Sequence, residues 1–327
     1  MKTLDLAAPI AHGASRYWTI LRLATPTVLA MLSQSVVNEI DVVYFSHLPC
    51  PESSNGQAAL LPSLILVWLF GGSLSAVSVG TQAIVARRFA EGRREAAGAV
   101  LTNAVFFCVV AGAIFSGLGL LSLPWLLRSM IGVPEVRDVA LAYTRWRLLG
   151  VLSMAATMAI KAFFDGIGRT HVHLVAAIVM NMANVILCWA FIFGHMGAPR
   201  MGAPGAGLAA FVATWIGLLI MAGFAALTRE EYHPVRWGNL SRELTWSILR
   251  LSIPAAAATV TMMVGFGLFA RTVGQLDVNA AATKIAGRCG GTEAVNSAAN
   301  TDITETLKLT FTACMSFGTA TATLIGQ

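Results

Sequence analysis

The chain has 327 residues, 56% of them hydrophobic and only 12% charged, with a mean hydropathy of +0.71. Soluble domains carry about 25% charged residues, so a water-soluble globular protein is excluded and a membrane protein indicated. The net charge of +6 does not mark a nucleic-acid binder, because the basic residues fall between apolar runs with no aromatic platform or recognition motif around them.

Residues 1–16, "MKTLDLAAPIAHGASR", lack the compact apolar core and small-residue cleavage site of a signal peptide. They read as a short N-terminal segment ahead of a first helix that is retained. Crossing a hydrocarbon core of ~30 Å takes about 20 helical residues. Apolar runs that long appear at 17–46, 59–89, 97–127, 138–164, 171–194, 205–227, 244–274 and 303–327. The fold class is therefore an all-α polytopic membrane protein. The five cysteines, Cys50, Cys108, Cys188, Cys289 and Cys314, have neither metal-ligand spacing nor a disulfide framework and read as core or lipid-facing fillers.

Charge sets the expected topology. Lys2, Arg16 and Arg22 precede the first run, Arg87, Arg88, Arg93 and Arg94 follow the second, Lys161 and Arg169 the fourth, and Arg229, Arg236 and Arg242 the sixth. The alternate connections carry Arg128, Arg137 and Arg200. Twelve against three places the N-terminus in the cytoplasm by the positive-inside rule. Lys284 and Arg288, in a connection this scheme places outside, run against it.

The chain also repeats itself. "LRLATP" at 21–26 returns as "LRLSIP" at 249–254, and "GTQAIVA" at 80–86 is echoed by "GTATATLIGQ" at 318–327. Six helices separate the copies, so both run the same way across the membrane, as in parallel-repeat transporters with sites between two halves. The organisation expected is an N-terminal six-helix lobe over 17–227, a cytoplasmic linker over 228–243, and the first two helices of a second lobe over 244–327. A second half matching the first would bring the chain to roughly 440–460 residues, so the sequence is read as a fragment. The polar stretch 284–306 reads as an external loop, and with no Walker sequence an ATP-driven pump is not expected.

Two carboxylates interrupt the first run, in "SQSVVNEIDVVYFSHLPCP" at 33–51. At 1.5 Å per residue Asp41 lies about 22 Å beyond Pro26, in the outer half of the membrane, where an aspartate costs less than the roughly 2.5–3.5 kcal/mol of a central one. Gln34, Asn38 and Asp41 recur at i, i+4, i+7 and share one face. Glu39 points about 200° away on an ideal helix. Two readings stand: the helix ends early and both acids meet water, or Asp41 belongs to a cation or proton site. Asn181 and Asn184 interrupt the fifth run, where amides either glue helices together or join a polar cavity. Arg145 and Arg147 read as snorkelling to the interface, and His171 and His173 as surface-exposed in a connection. The glycine-rich 194–210 reads as a turn followed by small-residue helix packing.

Taken together, "LRLATPTVLAMLSQSVVNEIDVVYFSHL", "SVGTQAIVARRFAEGRREAA", "YTRWRLLGVLSMAATMAIKAFFDGIGRTHVHLVAAIVMNMANVILCWAFIFG" and "GAPGAGLAAFVATW" resemble the multidrug and toxic compound extrusion (MATE) transporters. The resemblance implies twelve helices in two lobes around a central cavity, and secondary active efflux of organic cationic or amphipathic compounds by alternating access, in antiport with protons or sodium. It implies a cation site in the first lobe at Asp41, with Gln34, Asn38 and Asn184 as companions and sodium a candidate ion there. Glu39, Tyr44, Asn181 and Thr214 are candidate cavity-lining residues. The sequence departs from the family at Cys188 and Met262, where some members carry an aspartate and a glutamate, and at Ala210, near a threonine.

The expectation is thus a multi-pass plasma-membrane transporter, in a bacterial inner membrane. It is expected to be no enzyme, to use no cofactor beyond the coupling ion, and to have small-molecule drugs and the bilayer as partners, without nucleic acid or ATP. A lipid-linked oligosaccharide flippase of the same superfamily and a non-transporting membrane scaffold are the alternatives. The scarcity of intramembrane Arg and Lys speaks against the flippase.

Overall fold

The computed structural model describes residues 40–232, 237–282 and 294–304, with Thr25, Leu29 and Leu307 besides. Among these, helices are the only regular elements. α1 is described over 40–46, α2 spans Glu52–Ala90 and α3 spans Arg94–Met130. α4 runs as Pro134–Leu149 and Val151–Gly166, bent by 43° about Gly150. α5 is His171–Phe193, α6 Ala203–Leu227 and α7 Arg242–Ala282, and α8 is described over 295–304. Among the described residues five helices are long and apolar enough to cross a membrane, or six with bent α4 counted as one span. The chain is a multi-pass membrane protein.

Only a helix closes its own backbone hydrogen bonds within one segment, so a lipid-immersed chain of this composition has little alternative. Hydroxyls follow the same rule. Ser63, Thr81 and Ser252 each donate to the carbonyl four residues back, at 2.6, 2.8 and 2.9 Å. Association then depends on close approach rather than hydrophobicity, because lipid is as apolar as leucine. The first turns of α6 present Ala203, Gly205, Ala206, Gly207, Ala209 and Ala210 to the interior. At Gly207 an added Cβ would lie 2.5 Å from the Tyr143 carbonyl oxygen on α4. The glycine-rich stretch ahead of α6 is the expected turn: Gly194 ends α5 at φ +79°, and the Met201 and Gly202 amides bond back to Phe191 and Ile192 at 2.8 and 3.2 Å.

α2 is the most enclosed helix of the bundle. Its course passes Pro62 and farther on loosens into a π turn over Trp68–Gly72, the short single-turn form that π-helix takes within α-helices. α7 lies along α2 and α3, and Gly80 on α2 lets its backbone meet Ile248 and Ser252 directly. Most of α7's apolar side chains remain exposed, Leu251, Met262 and Leu268 among them.

Polar pins hold the basic end. Glu231, just past α6, receives Arg94 at 2.7 Å and Arg169 at 2.9 Å, joining the α2–α3 turn to the α4–α5 connection. Beside it Tyr232 is fully buried, edge-on to Phe163 at 5.3 Å, and burial pushes its phenol up to about 12. Asn103 on α3, 1% exposed, donates to the Asn239 carbonyl at 2.8 Å. Its Oδ1 accepts the Ser241 amide at 2.8 Å and the Thr245 hydroxyl at 3.1 Å. One side chain thereby fixes the start of α7. At the opposite end Arg200 meets Glu52 at 2.9 Å.

Four expectations are corrected. Lys161 is not in a connection: it lies inside α4, 2.7 Å from Asp165, with only 12% and 2% of the two side chains exposed. His171 is exposed, but His173 turns inward, its Nδ1 buried without a hydrogen-bond partner among the described residues. The stretch read as an external loop holds α8, whose Asn296 and Ser297 amides donate to buried Asp277 of α7 at 2.8 and 3.1 Å, joined by the Ser297 hydroxyl. Asp277 thus answers free amides at the N-terminus of α8, as a capping residue would. Finally, Cys50 is disulfide-bonded rather than a filler, with its partner outside the described residues, while Cys108 and Cys188 are free and buried.

Two stability predictions follow from this packing. Gly207→Leu must displace the α4 backbone and is expected to destabilise by about 1–3 kcal/mol, the usual cost of overpacking; Gly223→Leu, with open space around it, is expected to be near neutral. Asn103→Ala strands the Ser241 amide at a cost of about 1–3 kcal/mol. Ser122→Ala, whose hydroxyl returns only to its own helix, should cost less than half of that. Thermal loss of the monodisperse peak in detergent ranks all four, and equal midpoints within either pair would refute the packing argument.

Candidate functional site

Asp41 sits in the last turns of α1, two turns at most from the bend at His47 and Leu48. It is 4% exposed. The reading in which helix one ends early and Asp41 simply meets water is thereby set aside: the helix continues to Ser46 and the carboxylate faces protein.

The facing helix is α5. Its buried positions include Ala177, Asn181, Asn184 and Cys188, spaced at i, i+4, i+7, i+11, so one stripe of the helix carries two amides and a thiol inward. The Cys188 thiol lies 3.4 Å from Asp41 Oδ1 and 3.7 Å from Asn184 Oδ1. A thiol has one proton and is a weak donor, so it can serve one of those oxygens at a time. Asp41, Asn184 and Cys188 form the centre of the site, and Asn181 extends it one turn further along α5, 4% exposed.

Tyr44, one turn after Asp41, donates its hydroxyl to the Val185 carbonyl at 3.5 Å and packs edge-on against Phe193 at 5.8 Å. It pins α1 to α5 one turn beyond Asp41. α4 closes the third side. Tyr143 is 2% exposed and shares a core cluster with Phe45 and Cys188. The Arg147 guanidinium stands over its ring at 5.7 Å and interacts electrostatically with Cys188. Arg147 is therefore half-buried beside the site, whereas Arg145 is exposed and fits the snorkelling expected of both. The sequence carried one signal for this: Tyr143 and Arg147 are an i, i+4 pair on the face of α4 that also buries Ala140.

Thr214 is placed elsewhere. Its hydroxyl meets Ser153 at 3.0 Å and Phe211's carbonyl at 2.8 Å, bracing the α4 bend against α6. Gln34, Asn38 and Glu39 lie outside the described residues. Met262 is exposed on α7 and Ala210 is buried in α6, so neither offers a ligating oxygen. Among the described residues no cluster of three or more His, Cys, Asp or Glu could hold a metal ion. The site as described offers one carboxylate, two amides and one thiol, with a guanidinium nearby.

Comparison with known proteins agrees with this architecture. Over 289 residues the chain is 24% identical to the multidrug resistance protein PmpM of Pseudomonas aeruginosa, which covers 84% of this chain and 58% of that protein. Over 259 residues it is 25% identical to a probable multidrug resistance protein NorM of Thermotoga maritima, covering 77% and 53%. The chain thus spans little more than half the length of these relatives. Among solved structures, a MOP superfamily transporter from Pyrococcus furiosus superposes with a TM-score of 0.74 at 22% identity, covering 93% of this chain and 62% of that one. An outward-facing MATE family transporter superposes with a TM-score of 0.73 at 23% identity, with the same coverage. The MatE family itself matches residues 26–190, which include Asp41, Asn181, Asn184 and Cys188 and hence every residue at the centre of the site; the chain belongs to the MATE family.

Proposed function

We propose that the protein is a secondary active multidrug efflux transporter, exporting organic cationic or amphipathic compounds in exchange for protons or sodium. The observation that carries the reading is Asp41: a carboxylate 4% exposed inside a membrane bundle, met by a thiol and lined by amides. Packing would not select such a residue, whereas intramembrane ionisable groups line ion pathways. The names of the relatives, multidrug resistance proteins, support the cargo class.

The chemistry is a competition for occupancy. An ion arriving at Asp41 from outside neutralises the carboxylate and favours one arrangement of the bundle. A drug entering from the cytoplasm favours the other, and exchange follows when the two do not bind well together. A membrane potential of 100 mV contributes about 2.3 kcal/mol per charge moved, or between one and two decades of drug gradient. The basic end, with Arg87, Arg94 and Arg169, is read as cytoplasmic, in a bacterial inner membrane, which puts Asp41 toward the external side.

Asp41→Asn keeps the shape of the side chain and removes its charge. In the full-length protein, ethidium uptake into energised everted vesicles is expected to fall to background while membrane insertion, followed by immunoblot, is unchanged. Efflux at the wild-type rate would sink the assignment. Glu39→Gln is expected to retain most of the activity, because on an ideal helix Glu39 faces about 200° away from Asp41. A larger loss at Glu39 than at Asp41 would mean that the two faces had been exchanged.

A further inference from the structure

One cleft among the described residues lies away from Asp41. A groove of about 900 Å³ opens between α3 and the first turns of α7 at the basic end. Its floor and walls are Phe106, Phe107, Val110, Trp246 and Leu249. Phe106, Val110 and Trp246 are 48%, 44% and 59% exposed, so the lining is apolar and unfilled. The polar end is formed by Ser241, Arg242 and Glu243 at the start of α7.

The level of the groove follows from helix length. α3 has 37 residues, about 55 Å, and overhangs a hydrocarbon core of ~30 Å by roughly 12 Å at each end when centred. Asn103, nine residues into α3, then lies near the boundary between headgroups and hydrocarbon, with Phe106 to Val110 below it among acyl chains. Trp246 stands where aromatic residues mark the interface. The groove therefore crosses from headgroup level to acyl level.

We propose that this groove binds a phospholipid of the leaflet at the basic end, with a phosphoethanolamine headgroup at the start of α7 and an acyl chain between α3 and α7. The phosphate lies against Arg242, an exposed arginine with no ion-pair or hydrogen-bond partner among the described residues. It also lies at the N-terminus of a 41-residue helix, where the aligned peptide dipoles favour an anion. The ammonium lies against Glu243, whose carboxylate is likewise uncommitted. A headgroup of both signs matches this adjacent pair. A purely anionic lipid would place its excess charge on Glu243, and an organic cation would face Arg242 and the positive end of the helix. The acyl chain covers Phe106, Val110 and Leu249, and so buttresses the contact in which Asn103 holds Ser241 and Thr245.

The test is native mass spectrometry of the purified protein, stripped of lipid in detergent and titrated separately with palmitoyl-oleoyl phosphatidylethanolamine, with phosphatidylglycerol of the same chains, and with tetraphenylphosphonium. The wild type is expected to retain one ethanolamine lipid at least tenfold more tightly than the glycerol lipid. Arg242→Gln should weaken that adduct at least about tenfold, as loss of a charge-assisted contact does. Glu243→Gln should erase the preference between the two headgroups. Val110→Trp fills an exposed wall position without touching the charged pair, and should remove the same adduct. Unchanged affinity in Arg242→Gln or in Val110→Trp overturns the site, whichever of the two remains folded. Preference for the glycerol lipid, or displacement of the ethanolamine lipid by tetraphenylphosphonium at equal concentration, overturns the assigned headgroup.

Discussion

With no water in the hydrocarbon to solvate them, the backbone and most buried polar side chains of this bundle are answered from within the protein. That constraint explains why the chain is helical and why its serines and threonines fold back onto carbonyls one turn earlier. It also explains why helices touch through glycine and alanine. Each of these devices removes a polar group from the account without reaching across to a neighbour. The groups that do reach across are few, and they are the ones that define the structure.

Three buried acids show how the same constraint separates architecture from chemistry. Asp277 accepts two amides and a hydroxyl from α8, a set of donors that holds the carboxylate in one place. Asp165 is matched by Lys161 on its own helix. Asp41 faces instead a thiol that must choose between its oxygen and that of Asn184. That thiol is a weak donor, unlike the amides at Asp277 and the ammonium at Asp165. Arg147 adds a fixed charge close by without forming a direct pair that would quench the acid.

Much of this was legible in the sequence because hydropathy and helix period act locally. The runs at 97–127, 171–194 and 205–227 lie within a few residues of α3, α5 and α6. Asp41 and Asn184 stood out as polar residues in apolar helices, and the structure brings them to one place. What escaped was pairing between segments distant in the chain. Asn103 gives no sign that it answers residues 136 to 142 positions later. Asp277 lies past the end of the seventh apolar run, 244–274, and the polar stretch after it masked α8, the helix whose N-terminal amides it accepts. Thr214, a candidate cavity-lining residue by its position in α6, has its hydroxyl engaged with Ser153 beside the α4 bend, a contact between helices that the sequence does not encode. Cys50 escaped because disulfide pairing depends on geometry that cysteine spacing within a helical chain does not encode.

The pins are distributed unevenly, and that distribution bears on motion. At the basic end Glu231, Tyr232 and Asn103 join α3, the α4–α5 connection and the start of α7 through charged and buried contacts. On the other side, among the described residues α1 meets α5 through contacts that include the Tyr44 hydroxyl, the Cys188 thiol and an aromatic edge, each worth less than a bond between two charged groups. A change of charge at Asp41 acts directly on this second set of contacts. If the bundle rearranges when the carboxylate is neutralised, it should yield first where α1 meets α5, with the basic end serving as the fixed point against which that movement is made.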